Sequence, residues 1–245
     1  GVSAKEIGDK LNITVYAYDA NGRLVTGKTT SDYSVMKYCT GSLVKTSGEL
    51  GFTEEKTLAF KTLLVDLVNY GAEAQKYFDY KTETLVSEQL TEEQKNYASD
   101  DSVLDALTNV ITSKYETIEN PTVSWKTASL VLTAKAKIRI KFTYTGDISN
   151  LKMIASISNG DTYEVTEFKQ IDDTSYYVFF DEMRASQFGK AITFKMVEGD
   201  NTVSNTLCYS VESYAAVYKT DAEVGSVASS MMKYGKAANN FNQVD

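Results

Sequence analysis

Apolar and polar positions alternate from Leu11 to Tyr18, LNITVYAY, which puts one set of side chains on each face of an extended strand. Asp19-Ala20-Asn21-Gly22 supplies turn chemistry, and a second extended run follows from Arg23 to Thr30. An Asn-Gly between two such runs predicts a β-hairpin. The period then changes. Val35, Tyr38 and Cys39 fall at i, i+3 and i+4 behind Ser34, so a short helix is predicted there. From Leu58 to Phe78 the spacing stays near 3.6, behind Thr53 as N-cap and the acidic first turn Glu54-Glu55, which is the clearest helical signal in the chain. A polar connector carries the capping box Thr91-Glu92-Glu93-Gln94, hence a short helix to about Ser99, with a little more helix between Ser102 and Ser113.

Beyond Pro121 the pattern is that of strands: Thr122 to Ala134, Lys137 to Tyr144, Leu151 to Ser158, Tyr163 to Lys169, Ser175 to Phe180, Ala191 to Glu198 and Thr206 to Tyr209. The turn signals Thr145-Gly146-Asp147, Asn159-Gly160-Asp161 and Glu198-Gly199-Asp200 separate them at short spacing, as in an antiparallel sandwich. Helical pattern returns from Ser210 to Tyr218 and from Glu223 to Asn240.

The two ends of the chain match each other in order. Ala4-Lys5-Glu6-Ile7-Gly8 is answered by Ala185-Ser186-Gln187-Phe188-Gly189, and strand pattern follows each. Tyr33-Ser34-Val35-x-x-Tyr38 is answered by Tyr209-Ser210-Val211-x-x-Tyr214, and Tyr70-Gly71-Ala72-x-Ala74 by Tyr234-Gly235-x-Ala237-Ala238. Four anchors in one order, with connections of different length, read as an internal repeat. The expected fold is therefore mixed alpha and beta: antiparallel β-sandwich modules, each followed by a packed helical hairpin, with the repeat truncated at its N-terminal end. Residues 1–85 form the partial first repeat, 86–121 a helical or irregular connector, and 122–245 the second repeat. The opening on Gly1, close to patterned sequence, reads as an excised piece of a longer chain. Ser34 and Ser210 stand where a strand hands over to a helix, as N-caps. Gly71 and Gly235 sit inside helical runs at a cost of about 1 kcal/mol each, which suits close approach of another element better than ligand binding.

Composition narrows the chemistry. With 25 basic against 33 acidic residues the net charge is -8 and no basic cluster stands out, which argues against nucleic acid as a partner. The chain has no histidine, so Ser-His-acid and Cys-His nucleophile systems and imidazole metal ligands are excluded. Cys39 and Cys208 are too few for a thiolate metal cluster and read as two buried thiols ahead of a disulfide. No apolar run is long enough for a membrane span. The acid pairs Asp100-Asp101, Asp172-Asp173 and Asp181-Glu182 have the composition of an acid–base pair for glycoside cleavage, but their turn settings read as solvated surface. Asn159-Gly160-Asp161 and Gly199-Asp200-Asn201 offer oxygen ligands without the calcium-loop pattern. No catalytic residue, metal or cofactor is assigned, and a monomeric, non-enzymatic protein is expected.

The aromatic residues are the more open question, because 17 tyrosines are present. Trp125, Tyr163, Tyr176 and Tyr177 fall on or near strands and are the candidates for a sugar-binding platform. Tyr176 and Phe180 share one strand face and Tyr177 and Phe179 the other, so one of these pairs faces outward. The competing reading is strand propensity and core filling.

The combination Tyr33-Ser34-Val35-x-x-Tyr38, a spacer, and Asn69 to Phe78 continuing into Tyr80-Lys81-Thr82 resembles a repeated module of uncharacterised multidomain secreted and cell-surface proteins of gut and rumen Firmicutes, of the Clostridia and Ruminococcus kind. Tyr209 to Phe241 is similar to the same module in degenerate form, without the Asn before Tyr-Gly and the Gln after the alanines. The strand segments Ser129 to Tyr144 and Tyr176 to Phe180 also resemble that unit. The resemblance implies an extracellular or surface-attached location and a structural, spacer or adhesion role, with a carbohydrate-binding accessory module as the alternative. A glycan or another surface protein is the partner it implies; it carries over no catalytic residue.

Overall fold

The structure, a computed structural model, describes residues 2–133, 135–158 and 160–245. Gly1, on which the sequence opens, Ala134, expected to end a strand, and Asn159 of the Asn-Gly-Asp turn lie outside the described residues. The fold is mixed α/β, with several antiparallel sheets and helices, and the chain divides into two compact units: residues 1–99 with 243–245, and residues 100–242. The segment 86–121, read from sequence as a connector, is shared between the two.

In the first unit the expected hairpin forms from β1 (Leu11–Tyr18) and β2 (Leu24–Tyr33). The Asp19 carboxylate accepts the Asn21 and Arg23 amides at 2.9 and 2.8 Å, and Gly22 takes a φ of 78° that a side chain would oppose. Helix α1 (Val35–Leu43) starts at Ser34, whose hydroxyl accepts the Lys37 amide at 3.0 Å. A short helix absent from the sequence reading, α2 (Ser47–Leu50), is defined by a Thr46/Glu49 capping box and by Gly51 at φ 70°. The long helix α3 (Glu54–Tyr77) is capped by Thr53 and buries Phe60, Leu64, Val68, Gly71 and Gln75, three or four positions apart. The capping box of Thr91 and Gln94 closes the single turn α4 (Glu92–Lys95). Buried Asp66 of α3 accepts the Ser99 amide at 3.1 Å, tying down the end of this unit.

The second unit contains β3 (Thr112–Glu116), β4 (Ser124–Leu132), β5 (Ala136–Thr143), β6 (Leu151–Ile157), β7 (Thr162–Val165), β8 (Lys169–Gln170), β9 (Ser175–Phe180), β10 (Ile192–Glu198), β11 (Asn201–Thr202) and β12 (Thr206–Tyr209). Helices α5 (Val211–Tyr218) and α6 (Gly225–Gln243) follow. One sheet has the order β3-β12-β10-β6-β7, with β11 on β10; the other has the order β4-β5-β9-β8. Burial alternates as a two-residue period requires. Ile138, Ile140 and Phe142 of β5, Tyr176, Val178 and Phe180 of β9, Met153 and Ala155 of β6, and Ile192, Phe194 and Met196 of β10 are all buried. The Phe180 and Phe194 rings, from different sheets, meet edge to face at 5.6 Å between centroids.

Two expectations change here. The stretch from Ser102 to Ser113 is not helical beyond a 3-10 turn at Asp101–Leu104; β3 begins at Thr112 and pairs with β12, so tertiary pairing overrides weak local pattern. The strand expected from Tyr163 to Lys169 is two strands in different sheets, because Thr166-Glu167-Phe168 carries the chain from β7 to β8. Cys39 and Cys208 are both free and buried.

Candidate functional site

The two Tyr-Gly segments are the most distinctive feature of the sequence. A Cβ on Gly71 would lie 3.0 Å from Ile7 Cγ1, closer still to Ile7 Cδ1, and 3.1 Å from the Ala4 carbonyl oxygen. A Cβ on Gly235 would lie 2.9 Å from Phe188 Cδ2 and 3.1 Å from the Ala185 carbonyl oxygen. Each glycine thus accommodates a 3-10 turn against its helix, at Ala4–Glu6 or Ala185–Gln187. From the residue after each turn, a carbonyl accepts an amide in the first turn of the next helix: Met36 N–H to Ile7 at 2.8 Å, Glu212 N–H to Phe188 at 3.0 Å. The serine caps also correspond, Ser210 Oγ accepting the Ser213 amide at 2.9 Å as Ser34 accepts Lys37.

The Gln of the first motif has a structural task as well. Its side-chain carbonyl accepts the buried Val86 amide at 2.9 Å, and Nε2 of Gln75 donates to the Thr84 carbonyl at 3.3 Å. The groups around these glycines are backbone, aliphatic side chains and one ring. They hold polypeptide.

Of the four aromatic candidates, the structure brings two together. Tyr163 on β7 and Tyr177 on β9 line one cleft of about 520 Å³ with Phe179, Lys137, Lys169, Glu164, Glu167, Asp181 and Glu182. The cleft opens where the chain crosses between the sheets, since Thr166 and Glu167 form part of its wall. Tyr163 packs edge to face on Phe180 at 5.6 Å and donates to the Asp161 carboxylate at 3.3 Å. Burial, then the Asp161 charge, pushes the Tyr163 phenol above its ordinary value, so it stays protonated as a hydrogen-bonding group. Tyr177 and Phe179 meet edge to face at 5.4 Å, and Lys137 Nζ stands 5.6 Å from the Phe179 ring centre.

The other two candidates lie elsewhere. Tyr176 is only 7% exposed and stacks on Phe142, so Tyr177 and Phe179 form the outward pair on β9. Trp125 donates its indole N–H to the Asn205 carbonyl at 2.7 Å, packs on Phe142, and borders a separate cleft with Thr112 and Leu207. Phe179, Lys137 and Lys169 were not among the candidates. The signal for Lys137 and Phe179 was the alternation in AKIRIKFT and YYVFF, which puts cations and rings on the face opposite the core, while Lys169 reaches the cleft by pairing with Tyr177. Asp181 and Glu182, the acid pair seen in sequence, border this cleft, and Asp181 is engaged by Lys137 at 3.5 Å.

Among the described residues no group of three or more Cys, Asp or Glu side chains is placed to hold a metal ion, and no helix is long and apolar enough to cross a membrane. No protein-family model, curated protein or solved structure matches the chain.

Proposed function

We propose that this chain is a non-enzymatic structural or adhesion segment of an exported bacterial surface protein, built from one complete and one partial copy of a β-sandwich module. The observation that carries the modular reading is the duplicated lock: a 3-10 turn seated on a helical glycine, Ala4–Glu6 on Gly71 and Ala185–Gln187 on Gly235, with the same hydrogen bond to the following helix. Two further correspondences support it. Leu11 pairs with Tyr33 and Ile192 with Tyr209, each pair just before its serine cap. Met36 and Ala72, both buried, stand where the second unit has Glu212 and Lys236, joined as an ion pair at 3.3 Å. An apolar pair has been exchanged for a charge pair at one position of the lock.

The same alignment sets Ile13 and Val15 of β1 against Phe194 and Met196 of β10. The former are 38% and 64% exposed, the latter 0%. The first copy thus has the closing hairpin and helices of the module, and its hairpin has no covering sheet among the described residues. The exported location rests on the resemblance of the Tyr-Ser-Val and Asn-Tyr-Gly-Ala segments. Antibody raised to the purified protein tests it on intact source cells. Surface labelling that protease shaving removes is expected; labelling only after lysis overturns the location.

A second reading, carbohydrate binding, is favoured by one observation: Tyr163, Tyr177 and Phe179 line a single cleft whose rim carries both carboxylates and ammonium groups. Rings that stack on sugar faces, beside charged groups that bond hydroxyls, are the chemistry such a site needs. Titration against soluble neutral and acidic glycans tests it. Binding weakened by Tyr177→Ala is expected; no binding to any of them removes this reading.

A further inference from the structure

The outward face of the β4-β5-β9-β8 sheet is basic in a protein whose net charge is -8. Strand register sets its rows. Thr127, Lys141, Tyr177 and Lys169 stand side by side across the four strands, and Ser129, Arg139 and Phe179 form the next row. Val131 and Lys137 make the third, where Lys137 meets Asp181. The inward rows of the same strands are the buried apolar ones, such as Leu130 beside Ile138 and Phe180, so these side chains point away from the core.

Two features distinguish this face from a sheet surface that is merely solvated. The cations frame the rings: Tyr177 has Lys141 on one side and Lys169 on the other, and Phe179 has Arg139 beside it and Lys137 over it. And among the described residues Arg139, Lys141 and Lys169 form no ion pair, while Arg139 Nε is buried without a hydrogen-bond partner. Across the cleft the wall is of the opposite sign, with Glu167, Glu182 and Glu164, the last paired through one oxygen with Lys152 at 2.9 Å.

We propose that this face binds an anionic polysaccharide, with sugar rings stacked on Tyr177 and Phe179 and the carboxylate or sulfate groups held by Lys141, Arg139 and Lys169. The Glu164 and Glu167 side would accept sugar hydroxyls, which donate to carboxylates, so the two walls fix the direction in which a chain lies. Charge complementarity selects the occupant. A neutral glycan would leave a half-buried guanidinium without a counter-charge, whereas a uronate or sulfate ester supplies one acceptor group per charged sugar. Attraction of this kind is screened by salt, with a Debye length of about 10 Å at 0.1 M. This inference rests on the carbohydrate-binding reading and gives it a substrate class.

The test is calorimetric titration of the whole protein with four probes: polygalacturonate, its methyl ester, neutral galactan and chondroitin sulfate. Polygalacturonate or chondroitin sulfate, or both, should bind, and the preference between them separates uronate from sulfate recognition. Binding should weaken as salt is raised, and Lys141→Gln with Lys169→Gln should weaken it by about tenfold or more. The methyl ester and the galactan should bind far more weakly, and their residual binding should not change in the double variant. Equal binding of polygalacturonate and its methyl ester, unaffected by the lysine substitutions, would overturn the charge inference and leave carbohydrate binding standing. Absence of binding to all four probes would remove both. Because every substituted side chain is on the solvent face, an unchanged circular-dichroism melt checks that the variant is folded.

Discussion

Gly71 and Gly235 each place in a helix the residue that helices tolerate worst after proline, and in each case the space is filled by a turn of another segment. The side chain that would improve the helix would crowd Ile7 or Phe188 and press on a backbone carbonyl 3.1 Å away, which cannot rotate aside as a side chain can. A second residue-scale feature lies at Asp9, which accepts the Tyr80 hydroxyl and the Lys81 ammonium, each at 2.6 Å. Burial raises the Asp9 carboxyl, but the bonds from Lys81 and Tyr80 outweigh it and hold the group below its ordinary range. A carboxylate depressed in the folded state stabilises above its unfolded pKa and loses that contribution as pH falls through the folded value. Asp9→Asn should therefore cost about 1–2 kcal/mol at pH 7, as loss of hydrogen bonds to a charged group does, and the difference from wild type should shrink below about pH 4 in urea titrations. Burial also pushes the Cys39 thiol up to about 11 and raises that of Cys208. Neither thiol should react with a disulfide reagent at pH 8 in the folded protein, and two should react in denaturant. Fewer than two would contradict the free state of both.

At the scale of elements, the strands and helices announced by a clean period were legible in the sequence. The run to Phe78 and the strands of β5, β6, β9 and β10 each declare one side of a packed element, and LNITVYAY with its Asn-Gly turn declares a hairpin, although both of its faces are exposed. What was not legible depended on partners. β3 is made a strand by pairing with β12, and the break at Thr166-Glu167-Phe168 reflects which sheet each half joins. The cleft was half legible: alternation offered either Tyr176 or Tyr177 as the outward ring, and only the packing of Phe142 on Tyr176 decides for Tyr177. The cations beside it are a matter of register between strands distant in sequence, which no single window contains. Met196→Ala should cost about 2–5 kcal/mol as a cavity among fully buried side chains, whereas Val15→Ala on the exposed β1 should stay within about 0.5 kcal/mol; thermal melts distinguish them. Lys236→Ala leaves the Glu212 carboxylate, which is 8% exposed, without its counter-charge and with the Thr108 amide at 3.3 Å as a neutral donor, and should cost about 2–4 kcal/mol. Adding Glu212→Met, which installs the residues of the first unit, should recover most of that loss.

For the molecule as a whole, these elements form two units whose locks are chemically alike and whose sheets are not. The second unit buries Phe142, Phe180, Phe194 and Met196 of its strands, while the first presents a two-stranded hairpin with Val15, Tyr16, Tyr18 and Val25 in solvent. Exposed apolar hairpins are strand-pairing hazards; this one carries Lys28 on the face of Ile13 and Val15, and Lys10 and Lys37 engage Asp32 at its open end. The central claim is that the glycines of the two Tyr-Gly segments serve packing, each in its own unit, in the same way. The measurement that tests it most directly is a double-mutant cycle in urea: Gly71→Ala with Ile7→Ala, and Gly235→Ala with Phe188→Ala. Overpacking of roughly 1–3 kcal/mol should outweigh the helix gain of about 1 kcal/mol, so both glycine variants should be destabilised. In each cycle truncation of the partner should recover part of the loss, giving couplings of the same sign and of about 0.5 kcal/mol or more. Stabilisation of either helix by its Gly→Ala substitution, with no coupling to Ile7 or Phe188, would contradict the account.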